Sequence, residues 1–352
     1  MENRGTKKER TCFVVGAGAS NEVSIPTGPA LKAQIGHLID FKYDNWGTTL
    51  INGDRLIEAA LREHVRRNPE IEFRSLQLSC QAIGLAMPQA ISIDNYLDTH
   101  RADANTNICG KVAISRAILA AEAASKLARP IDGRRVRHDR IEGTWYTELM
   151  RLVTENVTID GLSERLSRIA FVVFNYDRAL EHFLVHWIAD YFRITMEEAV
   201  SFVSEVEIHH PYGMVGHLPW ASKDPGVRFG ETLSSGGDLL SIAAQIRTFT
   251  ERMDSSSDEL ARIKACVSSS TRVVFLGFAF HQINMNLIQP TRPAAPGAVC
   301  FATAKGISGF ASTAIRADIT RWFTADSDLV HMKEDLTCRQ LFDEYGRGLS
   351  MV

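Results

Sequence analysis

One stretch constrains this chain more than any other: Thr11–Leu31, TCFVVGAGASNEVSIPTGPAL. A short apolar run, Cys12 to Val15, breaks into Gly16-Ala17-Gly18-Ala19-Ser20. The turn Pro26-Thr27-Gly28 follows, and then a segment with helical spacing. A first strand, a tight glycine turn and a helix start, in that order, make an anion site. The glycines let a phosphate approach the backbone, and free N–H groups at the helix start face it.

The same grammar recurs downstream. Ile169–Phe174 (IAFVVF) is a continuous apolar run, as expected of a parallel strand buried on both faces, and it ends at Asn175-Tyr176-Asp177. A helix follows, with Leu180, Phe183, Leu184, Trp187 and Ile188 on one stripe. Arg272–Gly277 (RVVFLG) is a third such strand, followed by the helical Phe278–Ile288. Glu205–His210 is a weaker strand candidate and Val299–Thr303 the last one. Strand–turn–helix repetition of this kind predicts an α/β fold, a doubly wound and mostly parallel sheet.

Between the first two strong strands the pattern is helical, with segments at Pro29–Phe41, Arg55–Arg67, Ser75–Met87, Ile91–Thr99 and the alanine-rich Ile108–Ala128. No convincing strand is predicted there. The expected organisation is therefore 1–49 as the first part of a Rossmann-like domain, 50–166 as a helical insertion or lid, 167–310 as the rest of the sheet domain, and 311–352 as a helical tail.

Composition narrows the function classes. The formal net charge of -3 over 352 residues indicates no global pull toward nucleic acid or an anionic membrane. Met1–Arg10 is polar and lacks the apolar core of a secretory signal, and no apolar segment approaches the ~20 residues a spanning helix needs. The six cysteines (12, 80, 109, 266, 300 and 338) are scattered without a C-x-x-C pair, which argues against a zinc module and for buried, reduced thiols in a cytoplasmic protein. The basic run Arg129–Arg140, including Arg134, Arg135 and Arg137, reads first as a solvated loop and second as a grip for phosphates or a partner.

Several motifs carry chemistry. G-x-G-x-x-G would need glycine where Asn21 stands, and no G-x-x-x-x-G-K-[ST] exists, so neither the dehydrogenase fingerprint nor a P-loop is present. Asn175 and Asp177 lie where open α/β sheets bind ligands, at the C-terminal end of a strand. Capping of the next helix is the plain reading for Asp177, and Asn175 is the better catalytic candidate. In Ile208-His209-His210-Pro211-Tyr212-Gly213 the adjacent histidines cannot both face one way on a strand, and a near-neutral imidazole suits general base work. His182 and His186, one helical turn apart, lack the acidic residue of an H-E-x-x-H metal site.

Taken together, Gly16-Ala17-Gly18-Ala19-Ser20, Pro26-Thr27-Gly28, Ser92-Ile93-Asp94-Asn95-Tyr96-Leu97, Asn175-Tyr176-Asp177, Tyr212-Gly213 and Val274-Phe275-Leu276-Gly277 resemble the sirtuin-like superfamily, in order, across Thr11–Thr303. Without a four-cysteine module, the chain looks like the bacterial antiphage branch, whose members hydrolyse NAD to nicotinamide and ADP-ribose. The resemblance implies Asn175 as a catalytic residue. It implies NAD contacts from Gly16, Ala17, Gly18, Ser20, Thr27, Asp177, Tyr212 and Gly277. Where that branch has histidine before glycine, this chain has Tyr212, so either His210, two residues upstream, is the base or the base is altered. No cofactor beyond NAD as substrate, no zinc and no other metal are implied. A homo-oligomer and a separate HerA-type ATPase partner are implied, in an abortive-infection role. The alternatives are a non-hydrolysing NAD or ADP-ribose sensor and a scaffold subunit of a defence complex.

Overall fold

The computed structural model describes residues 9–128, 135–222, 226–248, 251, 257–290, 298–324 and 326–351. The strands in chain order are β1 (Thr11–Val15), β2 (Lys42–Tyr43), β3 (Leu50–Asn52), β4 (Ile169–Val173), β5 (Glu207–His209), β6 (Arg272–Leu276), β7 (Val299–Thr303) and β8 (Val330–Lys333). Six of them form one parallel sheet in the order β5-β4-β1-β6-β7-β8. The chain winds outward from β1 to β5, then returns to the other side of β1 for β6 to β8. That reversal is the switch point of a doubly wound, Rossmann-like sheet.

Each strand alternates its side chains between two cores, as the two-residue repeat of a pleated strand requires. Cys12, Val14, Ala170, Val172, Val273, Phe275, Cys300 and Ala302 face one core. Helices α2 (Gly28–Leu38), α3 (Arg55–Arg67), α4 (Phe73–Ala86), α5 (Ile93–Thr99) and α6 (Ala104–Ala124) pack there, after the four-residue α1 (Ala17–Ser20). Phe13, Val15, Phe171, Val173, Val274, Leu276 and Phe301 face the other core. It is completed by α7 (Trp145–Thr154), α8 (Ile159–Leu166), α9 (Ala179–Tyr191) and α10 (Met196–Ser204). The helical block between β1 and β4 is thus divided between the two faces. Later in the chain, α11 (Gly236–Ala243), α12 (Ser257–Ser268), α13 (Gln282–Ile288) and α14 (Gly309–Ile319) join the first core, and α15 (Cys338–Leu349) the second.

Local chemistry starts these helices, α3 at its expected Arg55 and α6 at Ala104, four residues ahead of the expected Ile108. Asp54 accepts from the amides of Leu56 and Ile57 at 3.0 Å to open α3, and Asp103 opens α6 in the same way. Ser92 accepts from the Asn95 amide at 3.0 Å to open α5. Thr195 with Glu198 and Thr337 with Gln340 are reciprocal capping boxes.

Two expectations are corrected. The segment after Pro29 is not strand-free, because β2 and β3 pair antiparallel. The tail is not purely helical: β8 extends the main sheet beyond Val299–Thr303, pairing Cys300 with Val330 and Ala302 with Met332. Its inward Val330 and Met332 are buried while Lys333 is exposed, so it lacks the continuous apolar run that marks the inner strands.

Candidate functional site at the sheet edge

Strands β1, β4 and β6 run in register, Val15 beside Val173 and Leu276, so their following loops emerge together. The glycine turn meets Gly277 backbone to backbone. Gly16 N–H donates to Leu276 O at 2.9 Å and Gly18 N–H to Gly277 O at 3.0 Å. A Cβ on Gly16 or Gly18 would sit 2.6 or 2.8 Å from the Gly277 carbonyl oxygen. Gly277 itself has φ +55°, and its amide donates to Thr303 Oγ1 at 2.9 Å. The sequence assigned these glycines to a phosphate. Their small size is used first to let two loops of the switch point touch, and the Gly16 and Gly18 amides are engaged inside the protein.

Asn175 stands at the centre of the edge. Its Nδ2 donates to Ser20 Oγ at 2.7 Å and to Gly16 O at 3.2 Å, so the β4 loop is tied to the glycine turn. Its Oδ1 is buried and has no hydrogen-bond partner among the described residues. Asp177 lies two residues on, where Oδ1 accepts from the Ala179 amide at 3.1 Å as the capping reading expects. Ser20 lies beside the Asp177 carboxyl and favours its charged form. Burial raises that carboxyl's pKa from 3.8 to about 6, the Ala179 amide opposing.

The adjacent histidines diverge, as strand alternation requires. His209 turns toward Glu207, with Nε2 2.7 Å from Oε1. His210 turns toward α9, where Nε2 lies 2.6 Å from Glu181 Oε1 and Nδ1 lies 3.3 Å from the Asn175 carbonyl oxygen. Burial disfavours charge on His210, but Glu181 beside it outweighs that and raises its pKa, while Glu181 is lowered. A carbonyl oxygen only accepts, and an ionised carboxylate only accepts, so each contact calls for hydrogen on its ring nitrogen. Both contacts favour the doubly protonated ring over the free base. Glu181 escaped sequence reading; its spacing, one helical turn past Asp177, was the available signal.

A second polar pair borders the first. Tyr176 donates its hydroxyl to the half-buried Asp94, and Tyr212 donates to Asn284 Oδ1 at 2.6 Å. Ser92-Ile93-Asp94 thus serves by capping α5 and presenting Asp94 to Tyr176. Gly213 follows at φ +72°, with its amide on His210 O at 3.0 Å; a Cβ there would run into the Gln245 carbonyl. This corner fixes Tyr212 where the resemblance expects histidine.

Other predicted residues lie apart from this network. Thr27 is the N-cap of α2 and makes no side-chain cap bond, and Ala17 is half-buried in α1. Arg129 and Arg134 fall outside the described residues, whereas Arg135 pairs with Asp190 and Arg137 with Asp139. A cavity of about 910 Å³ lies elsewhere, between α2 and α4, lined by Pro29, Lys32, His37, Tyr43, Arg74 and Gln77 among others. None of the sequence-predicted site residues borders it. All six cysteines are free and buried. Among the described residues no helix is long and apolar enough to cross a membrane. Comparison with protein-family models gave no match, and comparison with curated proteins gave none either.

Proposed function

We propose that the sheet-edge cluster binds NAD and hydrolyses its bond to nicotinamide. The observation that carries this reading is the unpartnered Oδ1 of Asn175, a buried acceptor at the switch point of a doubly wound sheet. Such an atom costs stability unless a donor reaches it, and a ribose hydroxyl or an attacking water is a donor of the right kind. The nicotinamide leaves as a neutral ring from a positively charged one, so no acid has to protonate it. Water bonds to the exposed sugar carbon, and its proton passes to a carboxylate.

Asp177 is the base in this scheme. Its pKa of about 6 suits proton acceptance near neutrality, and Ser20, held by Asn175, lies beside it. His210, favoured in its protonated form and bonded to the Asn175 carbonyl, is a positioning residue that holds the loop through Glu181. Tyr212, Gly277 and the glycine turn shape the walls. An NAD-destroying enzyme needs restraint, so self-assembly and a separate ATPase partner in an abortive-infection role belong to the same proposal.

Nicotinamide release from NAD by the purified chain, alongside Asn175→Ala, Asp177→Asn and His210→Ala, tests it. Release abolished by the first two supports the scheme; full release by Asp177→Asn sinks the assigned base. One observation favours a sensor instead: Asn175, Asp177 and Tyr212 are each under a tenth exposed. Saturable NAD binding with no release, with or without a partner, would select that reading.

A further inference from the structure

A separate cluster lies on the first-core face of the sheet. Glu207 on β5 pairs with Ala170 on β4, and Ala170 pairs with Cys12 on β1, so Glu207 and Cys12 flank a methyl group in one row. His209, two residues along β5, shares the face of Glu207. Above the small Ala170 side chain, α12 lowers Cys266. Ligand atoms of Glu207, His209 and Cys266 all lie within 4.8 Å of one another. Cys12 Sγ is 3.8 Å from Cys266 Sγ.

We propose that Cys266, His209 and Glu207 form a site for a thiophilic divalent ion of the zinc class, with Cys12, which stands beside Cys266 alone, drawn in as the fourth ligand when the ion binds. The sulfur spacing supports this. Two thiolates at ~2.3 Å from a tetrahedral ion stand about 3.8 Å apart, the separation found here. The mixed sulfur, imidazole and carboxylate set selects zinc-like ions over magnesium or calcium, which take oxygen. Charge balances as well. Two thiolates and one carboxylate are offset by a divalent ion and the Arg10 guanidinium, which hydrogen-bonds Glu207 as an outer partner of a ligand commonly does. On binding, the thiol protons leave to solvent. Cys12 and Cys266 are buried, while the Glu207 side chain is 37% exposed, so the ion enters from the Glu207 side. The separation of the two cysteines in sequence, with neither in a C-x-x-C pair, is why sequence reading expected no metal.

Cobalt(II) is the probe, titrated anaerobically into the full chain and then displaced with zinc(II). One equivalent should bind with a thiolate-to-cobalt absorption band. Cys266→Ser should lose that band, and Glu207→Gln or His209→Ala should weaken binding by more than the roughly 10- to 100-fold typical of losing an outer partner of a ligand. Cys300→Ser, elsewhere in the same core, should behave as the parent. Absence of the band in the folded parent, or its survival in Cys266→Ser, overturns the site. Should Cys266→Ser fail to fold, alkylation of the parent decides. Zinc should protect Cys12 and Cys266 from reagent; equal labelling of both with and without zinc overturns the proposal.

Discussion

Arg178 and Glu122 form an ion pair with both side chains fully buried. Glu122 Oε1 accepts from the Arg178 backbone amide at 3.0 Å and from Nε at 3.1 Å, and Arg178 also donates to the Val227 carbonyl at 2.6 Å. One guanidinium thereby joins the end of α6, the start of α9 and the 226–230 loop, immediately behind Asp177. Glu122→Ala leaves that cation buried without its counter-charge, a change that costs about 3–5 kcal/mol. Urea unfolding should register the loss. Replacing both residues by apolar ones of similar volume should cost much less, and equal losses would mean the pair itself is not the cause.

Gly277 and Gly28 make a matched comparison. A methyl group on Gly277 would overlap the Ala19 amide nitrogen, in a backbone conformation that disfavours side chains. Gly28 has nothing within 4 Å of such a methyl group. Gly277→Ala should lower the unfolding free energy by more than ~1 kcal/mol, about the intrinsic cost of the left-handed conformation alone. Gly28→Ala should be near neutral.

Asp177 sets a pH dependence of stability. Its folded pKa is raised above the unfolded value, so the folded state binds the proton more tightly. The stability this confers is full below 3.8 and is lost as pH rises through about 6. At about 1.4 kcal/mol per pKa unit the loss is on the order of 3 kcal/mol. Unfolding curves across that range should slope downward for the parent, and Asp177→Asn should flatten the slope.

The proposed hydrolysis carries its own pH signature. If Asp177 takes the proton, kcat should rise through about pH 6 as the carboxyl ionises. Asp177→Asn should reduce kcat about 10²- to 10⁴-fold, with KM for NAD changed far less. Asn175→Ala should alter both, because it removes an acceptor and releases the Ser20 hydroxyl. A rate independent of pH across this interval would assign the base elsewhere.

Tyr212 can be separated from catalysis by Tyr212→Phe. The ring would keep its place, but Asn284 Oδ1, half-buried, would lose a donor at 2.6 Å, a loss of about 0.5–1.5 kcal/mol for an ordinary hydrogen bond. Stability should fall by that amount while nicotinamide release, corrected for the folded fraction, stays as in the parent. Loss of release from folded protein would give the hydroxyl a direct part in the reaction.

The sheet's inner strands were legible in the sequence because burial on both faces demands unbroken apolar runs, and Cys12–Val15, Ile169–Val173, Arg272–Leu276 and Val299–Thr303 supply them or nearly so. The start of α3 at Arg55 was legible from apolar spacing, whereas α6 opens at Asp103, ahead of the apolar stretch from Ile108 that marks it in the sequence. β8 was not legible, since an edge strand needs only alternate apolar residues and Lys333 breaks the pattern. The Glu207–His209 strand was weak in sequence for the same reason and is identified by its pairing with β4.

Asn175, Asp177 and His210 could be picked out as strand-end polar residues, but not their partners. By itself the sequence determined the doubly wound α/β class and which loops meet at its edge, because backbone periodicity and burial are local demands on residue type. Only the tertiary structure decided that Gly18 spends its freedom on Gly277, that Glu181 favours a protonated His210, and that Cys12 meets Cys266 over Ala170. Those are contacts between segments far apart in the chain, where distance and burial, not composition, set the chemistry.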